Sequence, residues 1–294
     1  MKTQLLRFLF VASLLISSSF ASELKEFPDC ELVVTTWADG DSFLVRTADG
    51  EEHTVRIYGA DCMEWHVSDD SDARRLREQR RYFGITYLGG DPAISIDRAK
   101  AFGEEAAVEV REILSKPFTI HTSMSDAAGD GRYKRIYGFV KTHDGKDLAE
   151  HLVARGLARA VGVSRGTYDQ RSRDEYRAQL EDLELIAARK SIGIWAATEW
   201  ESLAIERREQ RIEDELLALA TGKSKFEENE KIDPNTATKD DLVRLPGIGE
   251  VLANAIIEER DSTRFLSPED LEKVSGVGKT KAEKMSPYLI FPEE

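Results

Sequence analysis

Short segments that alternate apolar and polar residues fill the chain from Leu32 to Val140. Alternation with a period of two, interrupted by Asp-Gly pairs, is typical of strands joined by tight turns. Apolar residues spaced three and four apart are instead typical of helices. The pattern predicts strands over 32–34, 42–46, 54–58, 118–121 and 136–140, and helices over 102–114, 148–154 and 176–188. Strands followed by helices indicate an α+β fold built on a small barrel.

The C-terminal third of the chain has a different pattern. Residues 199–220 predict an exposed helix, and the Lys/Glu/Ser-rich segment 221–230 predicts a linker. Two glycine hairpins, 247–249 and 276–278, follow at a separation of 29 residues, and each precedes a helical stretch, as in an internal repeat. We therefore divide the 294 residues into a leader over 1–21, a barrel domain over 28–198, a charged helix and linker over 199–230, and a small all-α domain over 231–294.

The leader has the features of a secretory signal peptide. Lys2 and Arg7 precede an apolar run over 8–16, and small residues at Ser19 and Ala21 predict cleavage after Ala21. The run is too short to cross a hydrocarbon core of about 30 Å. The alternative is an uncleaved N-terminal anchor. We expect a secreted or periplasmic monomer without membrane attachment once the leader is removed.

Charge and cysteine content narrow the function classes. A net charge of −14 excludes general coating of nucleic acid by bulk charge, so any nucleic-acid contact must rest on local sites. Cys30 and Cys62 either form one disulfide in an oxidising compartment or stay as two partly buried thiols. Neither cysteine has a metal-ligand partner at close spacing, and the five histidines are scattered, so we predict no zinc site.

Three charged clusters lie at predicted strand ends, at residues 39–41, 56–64 and 132–135. Asp41, Asp61 and Glu64 offer hard oxygen ligands suited to Ca²⁺ or Mg²⁺. Arg56 and Arg135 offer planar guanidinium groups that match phosphate oxygens. Carboxylates combined with arginines are the components of phosphodiester hydrolysis. Taken alone, the same spacing also fits ordinary solvated turn residues.

The order and spacing of these clusters over residues 30–197 resemble the staphylococcal nuclease family, an OB-type five-stranded barrel with packed helices. Further matching motifs are Leu152-Val153-Ala154-Arg155-Gly156-Leu157-Ala158 and Ile192-Gly193-Ile194-Trp195. The resemblance implies Ca²⁺ bound by Asp41, Asp61 and the Cys62 carbonyl. It implies Glu64 as the base that activates or orients water, and Arg56 and Arg135 as the catalytic pair that stabilises the phosphate. The expected products carry 3′-phosphates.

The resemblance also places substrate contacts, with departures from the family pattern. Arg132, Tyr133 and Lys134 would bind substrate beside Arg135. The nucleotide-stacking tyrosines of the family are replaced by Gly162 and Ser164, which leaves the base preference open. Residues 65–101 are longer than the family loop and contain Arg74, Arg75, Arg77, Arg80 and Arg81. This insertion is either a substrate-gripping lid or a solvated helix that balances nearby aspartates.

Residues 231–292 resemble the tandem helix-hairpin-helix domain of the exported competence DNA-receptor family. That resemblance implies sequence-independent binding of the DNA backbone at Gly247, Gly249, Gly276, Gly278 and Lys279. The alternative is a structural helix pair or a protein-docking module, since residues 231–294 carry a net charge of −4.

Together the two resemblances indicate an exported Ca²⁺-dependent nuclease that acts on DNA, with RNA as an open alternative. The rival function is a non-catalytic exported DNA receptor for uptake. Because a linker joins the two domains, we expect catalysis and DNA holding to be separable.

Overall fold

The computed structural model describes residues 24–124, 127, 135–220 and 231–291. Its strands are β1 (Lys25–Val33), β2 (Ser42–Arg46), β3 (Glu52–Ile57), β4 (Asp61–Cys62), β5 (Phe118–Thr122), β6 (Arg135–Lys141) and β7 (Ala158–Arg159). Its α-helices are α1 (Asp70–Phe83), α2 (Pro92–Ile113), α3 (Leu148–Ala154), α4 (Arg173–Arg189), α5 (Trp200–Ala220), α6 (Lys239–Leu242), α7 (Glu250–Ser262) and α8 (Lys279–Met285). The predicted α+β fold is confirmed.

Five strands form a closed barrel in the order β1-β2-β3-β6-β5. Strand β1 closes it by pairing antiparallel with both β2 and β5, while β3 and β6 run parallel. A β-bulge at Asp29, whose φ is 53°, lets β1 continue back to Lys25. Strands β4 and β7 form a separate two-stranded ladder beside the barrel. That ladder brings the segment after β3 against the segment after α3.

The insertion over 65–101 is helical. Asp69 caps the N-terminus of α1 by accepting from the backbone N–H groups of Ser71 and Asp72. Gly84 ends the helix in the left-handed conformation, with φ of 66°. Helix α2 begins at Pro92, ten residues before the predicted start. The insertion therefore packs helix α1 beside the barrel, with its apolar stripe in a second small core.

The two glycine hairpins form as predicted. Helices α7 and α8 begin directly after Gly249 and Gly278. Gly247 and Gly276 adopt left-handed backbone conformations, with φ of 79° and 89°, which favour glycine. Within the described ranges, every helix is too short or too polar to cross a bilayer.

The helical domain packs directly on the barrel domain. Buried apolar side chains of both domains form one continuous cluster, and the Glu258 carboxylate on α7 accepts from the Ser164 N–H at 2.9 Å. The separation of catalysis from DNA holding stays a prediction, because packing measures neither activity. The linker predicted over 221–230 lies outside the described residues.

Candidate active site

Strand register brings the two predicted catalytic arginines to one face of the barrel. Arg56 on β3 pairs with Ser42 on β2 and with Tyr137 on β6. Arg135 lies two residues before Tyr137, and residues two apart on a strand point to the same face. Arg56 and Arg135 therefore share a face at the end of the parallel β3–β6 pair.

Two of the predicted metal ligands flank the Arg56 guanidinium. Its Nη1 lies 3.0 Å from Asp41 Oδ1, and its Nη2 donates to Asp61 Oδ1 at 2.9 Å. The second oxygen of Asp41 accepts from the Cys62 N–H at 2.8 Å. Burial opposes ionisation of Asp61, but Arg159 and Arg56 hold the pKa of this carboxyl well below its ordinary value. Asp41, Asp61 and Cys62 thus belong to one charged network.

Arg159 and Gln79, which are not among the predicted site residues, complete that network. Arg159 Nε donates to Asp61 Oδ2 at 2.7 Å, and Gln79 Nε2 donates to the same oxygen at 2.9 Å. Gln79 also donates to the Cys62 carbonyl at 2.7 Å and accepts from the Glu64 N–H at 2.8 Å. One buried amide on α1 therefore fixes the loop that carries Asp61, Cys62 and Glu64.

The sequence carried a signal for each missed residue. Gln79 falls on the apolar stripe of α1, three residues after Leu76 and four before Phe83. Arg159 stands within the apolar run Leu157 to Val163. A polar or charged side chain in an apolar stripe is rarely buried without a partner, so both positions indicate buried pairing.

Glu64 is held by the inserted helix. It is 8% exposed, and its Oε1 accepts from Arg75 Nη1 at 2.6 Å. Burial raises the pKa of Glu64 above its ordinary value, although Arg75 opposes the rise. A buried carboxylate with a raised pKa suits a general base that works near neutral pH. Arg75 also lines an open cleft, whereas Glu64 lies beside the cleft and is not among its lining residues.

The cleft is strongly cationic, in contrast to the chain as a whole. Six cationic side chains are among its lining residues, namely Arg56, Arg74, Arg75, Arg135, Arg159 and Lys239. Burial, reinforced by Arg56, lowers the pKa of Arg135. Within the described part of the chain, the buried Nε of Arg135 has no hydrogen-bond partner. An anionic ligand would satisfy this donor, so the cleft suits phosphate groups.

The arginines of the insertion divide between the two interpretations. Arg74 and Arg75 line the cleft, as expected of a substrate-gripping element. Arg77 and Arg81 instead pair with Glu213 on α5 and fasten α1 to that helix. Helix α1 is therefore a packed wall of the cleft.

The predicted Ca²⁺ ligands have suitable chemistry. Asp41 and Asp61 supply carboxylate oxygens and Cys62 a carbonyl oxygen, the hard donors that Ca²⁺ prefers. Among the described residues, no group of three or more His, Cys, Asp or Glu side chains forms a metal cluster. The predicted Ca²⁺ ligands are two carboxylate side chains and one backbone carbonyl, so they do not make up a group of three such side chains. A cation there would compete with Arg56 and Gln79 for the same oxygens.

The remaining predicted residues divide into described and undescribed ones. Arg132, Tyr133 and Lys134 lie outside the described residues. Cys30 and Cys62 are free, buried thiols, and burial raises the pKa of Cys30 to about 11. In the helical domain, a Cβ added at Gly249 or Gly278 would meet none of the described atoms within 4 Å. The backbone there is open to a ligand.

Comparison with known proteins identifies both domains. Residues 54–197 match the family model described as staphylococcal nuclease homologue, and residues 227–290 match the helix-hairpin-helix motif. Curated relatives include the human and mouse endonuclease/exonuclease/phosphatase family domain-containing protein 1, each 44% identical over 57 residues. The zebrafish protein is 47% identical over 55 residues. These matches cover 18–19% of this chain and 10% of each relative. The chain therefore spans about a tenth of their length.

Proposed function

Because the chain joins a staphylococcal nuclease homologue domain to a helix-hairpin-helix motif, we propose that it is a Ca²⁺-dependent endonuclease that hydrolyses DNA. The observation that supports this function best is the cleft itself. Six cationic side chains line it next to a buried carboxylate, Glu64, in a chain whose net charge is −14. Such a local concentration of charge attracts a polyanion and excludes most neutral substrates.

The proposed chemistry assigns one task to each charged group. Glu64 accepts the proton of the attacking water, since burial keeps its carboxylate basic. Arg56 and Arg135 neutralise the charge that develops on the phosphate, and the unpaired Nε of Arg135 is available for that contact. Attack of water on phosphorus breaks the bond to the 5′ oxygen, which takes a proton from solvent and leaves as a hydroxyl, while the other product keeps the 3′-phosphate. RNA has the same phosphodiester linkage and remains a second candidate substrate.

Asp41, Asp61 and the Cys62 carbonyl would hold the Ca²⁺ ion. A bound Ca²⁺ would polarise a phosphate oxygen and neutralise part of its charge. Arg56 contacts both carboxylates, so a cation bound to them would leave the Arg56 guanidinium able to face the phosphate.

The helix-hairpin-helix domain would hold the DNA backbone through Gly247, Gly249, Gly276, Gly278 and Lys279. Open space over Gly249 and Gly278 supports close backbone approach. We also propose export, on the leader over 1–21, and a monomeric protein. Cell fractionation with an N-terminal sequence of the mature protein tests cleavage after Ala21.

The test of function is turnover of plasmid DNA by Glu64→Gln. Loss of a positioned base should lower kcat by about 10²–10⁴-fold, while the variant stays folded by circular dichroism. Glu52→Gln is the matched control, because Glu52 pairs with Arg46 on the exposed side of the barrel. Near-normal turnover of folded Glu64→Gln would remove Glu64 from the mechanism. A wild-type protein that binds DNA without cleaving it would support the DNA-receptor alternative.

The metal assignment has its own test. Activity should require added Ca²⁺, disappear with a chelator, and collapse in Asp41→Ala, since hard carboxylates select this ion. Calorimetric titration of Ca²⁺ into the wild type and Asp41→Ala measures the site without turnover. Full activity in chelator would refute the assignment.

A further inference from the structure

The helical domain closes one side of the nuclease cleft. Lys239 on α6 and Asn254 on α7 line the same cleft as Arg56, Arg135 and Arg159. A shared cleft requires that the two domains have a fixed relative position. The contacts of α7 show what fixes it.

Helix α7 presents a polar stripe to the barrel domain. Asn254, Glu258 and Asp261 are spaced four and three residues apart, so they lie on one helix face. Asn254 and Glu258 are buried, with residue exposures of 8% and 5%. Buried polar side chains need partners, and the barrel domain supplies those of Glu258.

Glu258 is the centre of this interface. Its carboxylate accepts from the Ser164 N–H at 2.9 Å and from Arg177 Nη2 at 2.9 Å, and Arg173 Nη1 lies 3.4 Å away. Burial raises the pKa of Glu258, although Arg177 opposes the rise. A carboxylate with two arginines and a backbone donor fixes position better than an exposed ion pair.

The same contacts set the direction of α7 toward the cleft. Asp261 lies beside Arg165, at 3.7 Å between oxygen and nitrogen, and Glu258 lies beside Ser164. Four residues further toward the N-terminus, about 6 Å along the helix axis, Asn254 reaches the cleft. Helix α7 therefore runs alongside residues 161–165, and its N-terminal half faces the cleft that Arg56 and Arg135 also line.

At one point the barrel domain lines the cleft with backbone alone. Gly162 lines the cleft with φ of 146°, a conformation that residues with side chains rarely adopt.

Lys239 is the first residue of α6, where the Thr238 hydroxyl accepts from the Asp241 N–H at 3.0 Å and donates to the Asp241 carboxylate at 2.7 Å. This capping box fixes the backbone of Lys239 at the cleft edge.

We propose that both domains build the substrate site, in which Lys239 binds the phosphate next to the scissile one and Asn254 hydrogen-bonds the attached nucleotide. This inference rests on the proposed nuclease function. It assigns the helical domain a role inside the cleft, distinct from backbone binding at the two glycine hairpins.

The experiment uses the full chain and single-stranded DNA of about four nucleotides, the lower end of the site size of one OB fold. Fluorescence anisotropy in the Glu64→Gln background measures Kd over a range of salt concentrations. In Lys239→Gln, the slope of log Kd against log salt should fall by about 0.7, the contribution of one phosphate contact on a single strand. Lys239→Arg should restore the slope. Asn254→Ala should weaken binding about fivefold, the usual contribution of one neutral hydrogen bond, without changing the slope.

Lys273→Gln is the matched control, because Lys273 is half exposed, pairs with Asp270 and is not among the cleft-lining residues. Its salt slope should equal that of the parent. If wild-type protein cleaves this DNA while Lys239→Gln binds it like Lys273→Gln, the shared site is refuted and the nuclease function stands. If Lys239 controls binding but wild-type protein never cleaves, the nuclease function is refuted and the shared site stands.

Discussion

Replacing Arg75 tests how the inserted helix controls the general base. Its guanidinium lies 2.6 Å from the Glu64 carboxylate and opposes the rise that burial causes in the pKa of Glu64. Arg75→Gln removes the positive charge and keeps a hydrogen-bonding side chain of similar shape. The pKa of Glu64 should therefore rise further, and the acid limb of the pH profile of kcat/KM should move to higher pH.

The size of this change follows from the geometry. Unit charges about 4 Å apart interact by about 4 kcal/mol at an effective dielectric constant of 20. The Arg75 side chain is 30% exposed, so solvent screens part of that interaction. An opposite charge at this range usually moves the pKa of a carboxyl group by about one to three. On the acid limb, a rise of about one in the pKa of Glu64 lowers kcat/KM about tenfold, because it corresponds to about 1.4 kcal/mol.

The assay is kcat/KM on a short fluorogenic DNA between pH 5 and 9. Arg77→Gln is the control on the same helix, since Arg77 pairs with Glu213 away from the cleft. Arg75→Lys keeps the charge and should restore most of the acid limb. An acid limb that stays in place in Arg75→Gln would refute the claim that Arg75 sets the pKa of Glu64. A uniform loss of activity at every pH would instead indicate that Arg75 binds substrate only.

Two further predictions concern stability, measured by urea denaturation. Arg159→Met should destabilise the protein by about 3 kcal/mol at pH 7, because it removes a partner from the buried Asp61 carboxylate; a loss below about 1 kcal/mol would contradict this. The loss should shrink as pH falls below about 4, because Asp61 with one arginine partner fewer is then protonated more readily. Burial raises the pKa of Asp147 to about 6. The folded state therefore keeps a proton that the unfolded chain loses near pH 4, so the free energy of unfolding falls as pH rises from about 4 to 6. Asp147→Asn, which preserves the helix cap, should therefore gain about 2 kcal/mol at pH 8 and remove this pH dependence; an unchanged profile would contradict the assignment.

Local patterns predicted the barrel because each strand carries its own alternation and turn. Residues 42–46 match β2, and residues 148–154 match α3 at both ends. The first strand was predicted too short, since Pro28 and the bulge at Asp29 interrupt the alternation from Lys25 onward. The boundary of β1 therefore failed where the backbone departs from ideal geometry.

Site residues could be predicted only where their residue types and their spacing occur together in one short segment of the sequence. Asp41, Arg56 and Glu64 sit in short motifs at strand ends, and the resemblance to the staphylococcal nuclease family predicted that they share one site; their spacing alone also fits solvated turn residues. The contact between Arg75 and Glu64 depends on how α1 packs, and several arginines of that helix have similar local spacing. The position of α7 depends on the ion pair between Glu258 and Arg177 of the other domain. Local periodicity does not predict such a contact.

The parallel pairing of β3 with β6 has a consequence for biosynthesis. Strands β1, β2 and β3 are antiparallel neighbours within the first 57 residues, so this meander can form as soon as it leaves the ribosome. Strand β6, which covers the open edge of β3, begins only at Arg135, about 80 residues later. At about 5–20 residues per second, the β3 edge of the meander stays exposed for about 4–16 s. Unpaired edges template intermolecular pairing. We therefore expect the nascent chain to be most prone to aggregation, and to need chaperone protection most, during synthesis of residues 58–134.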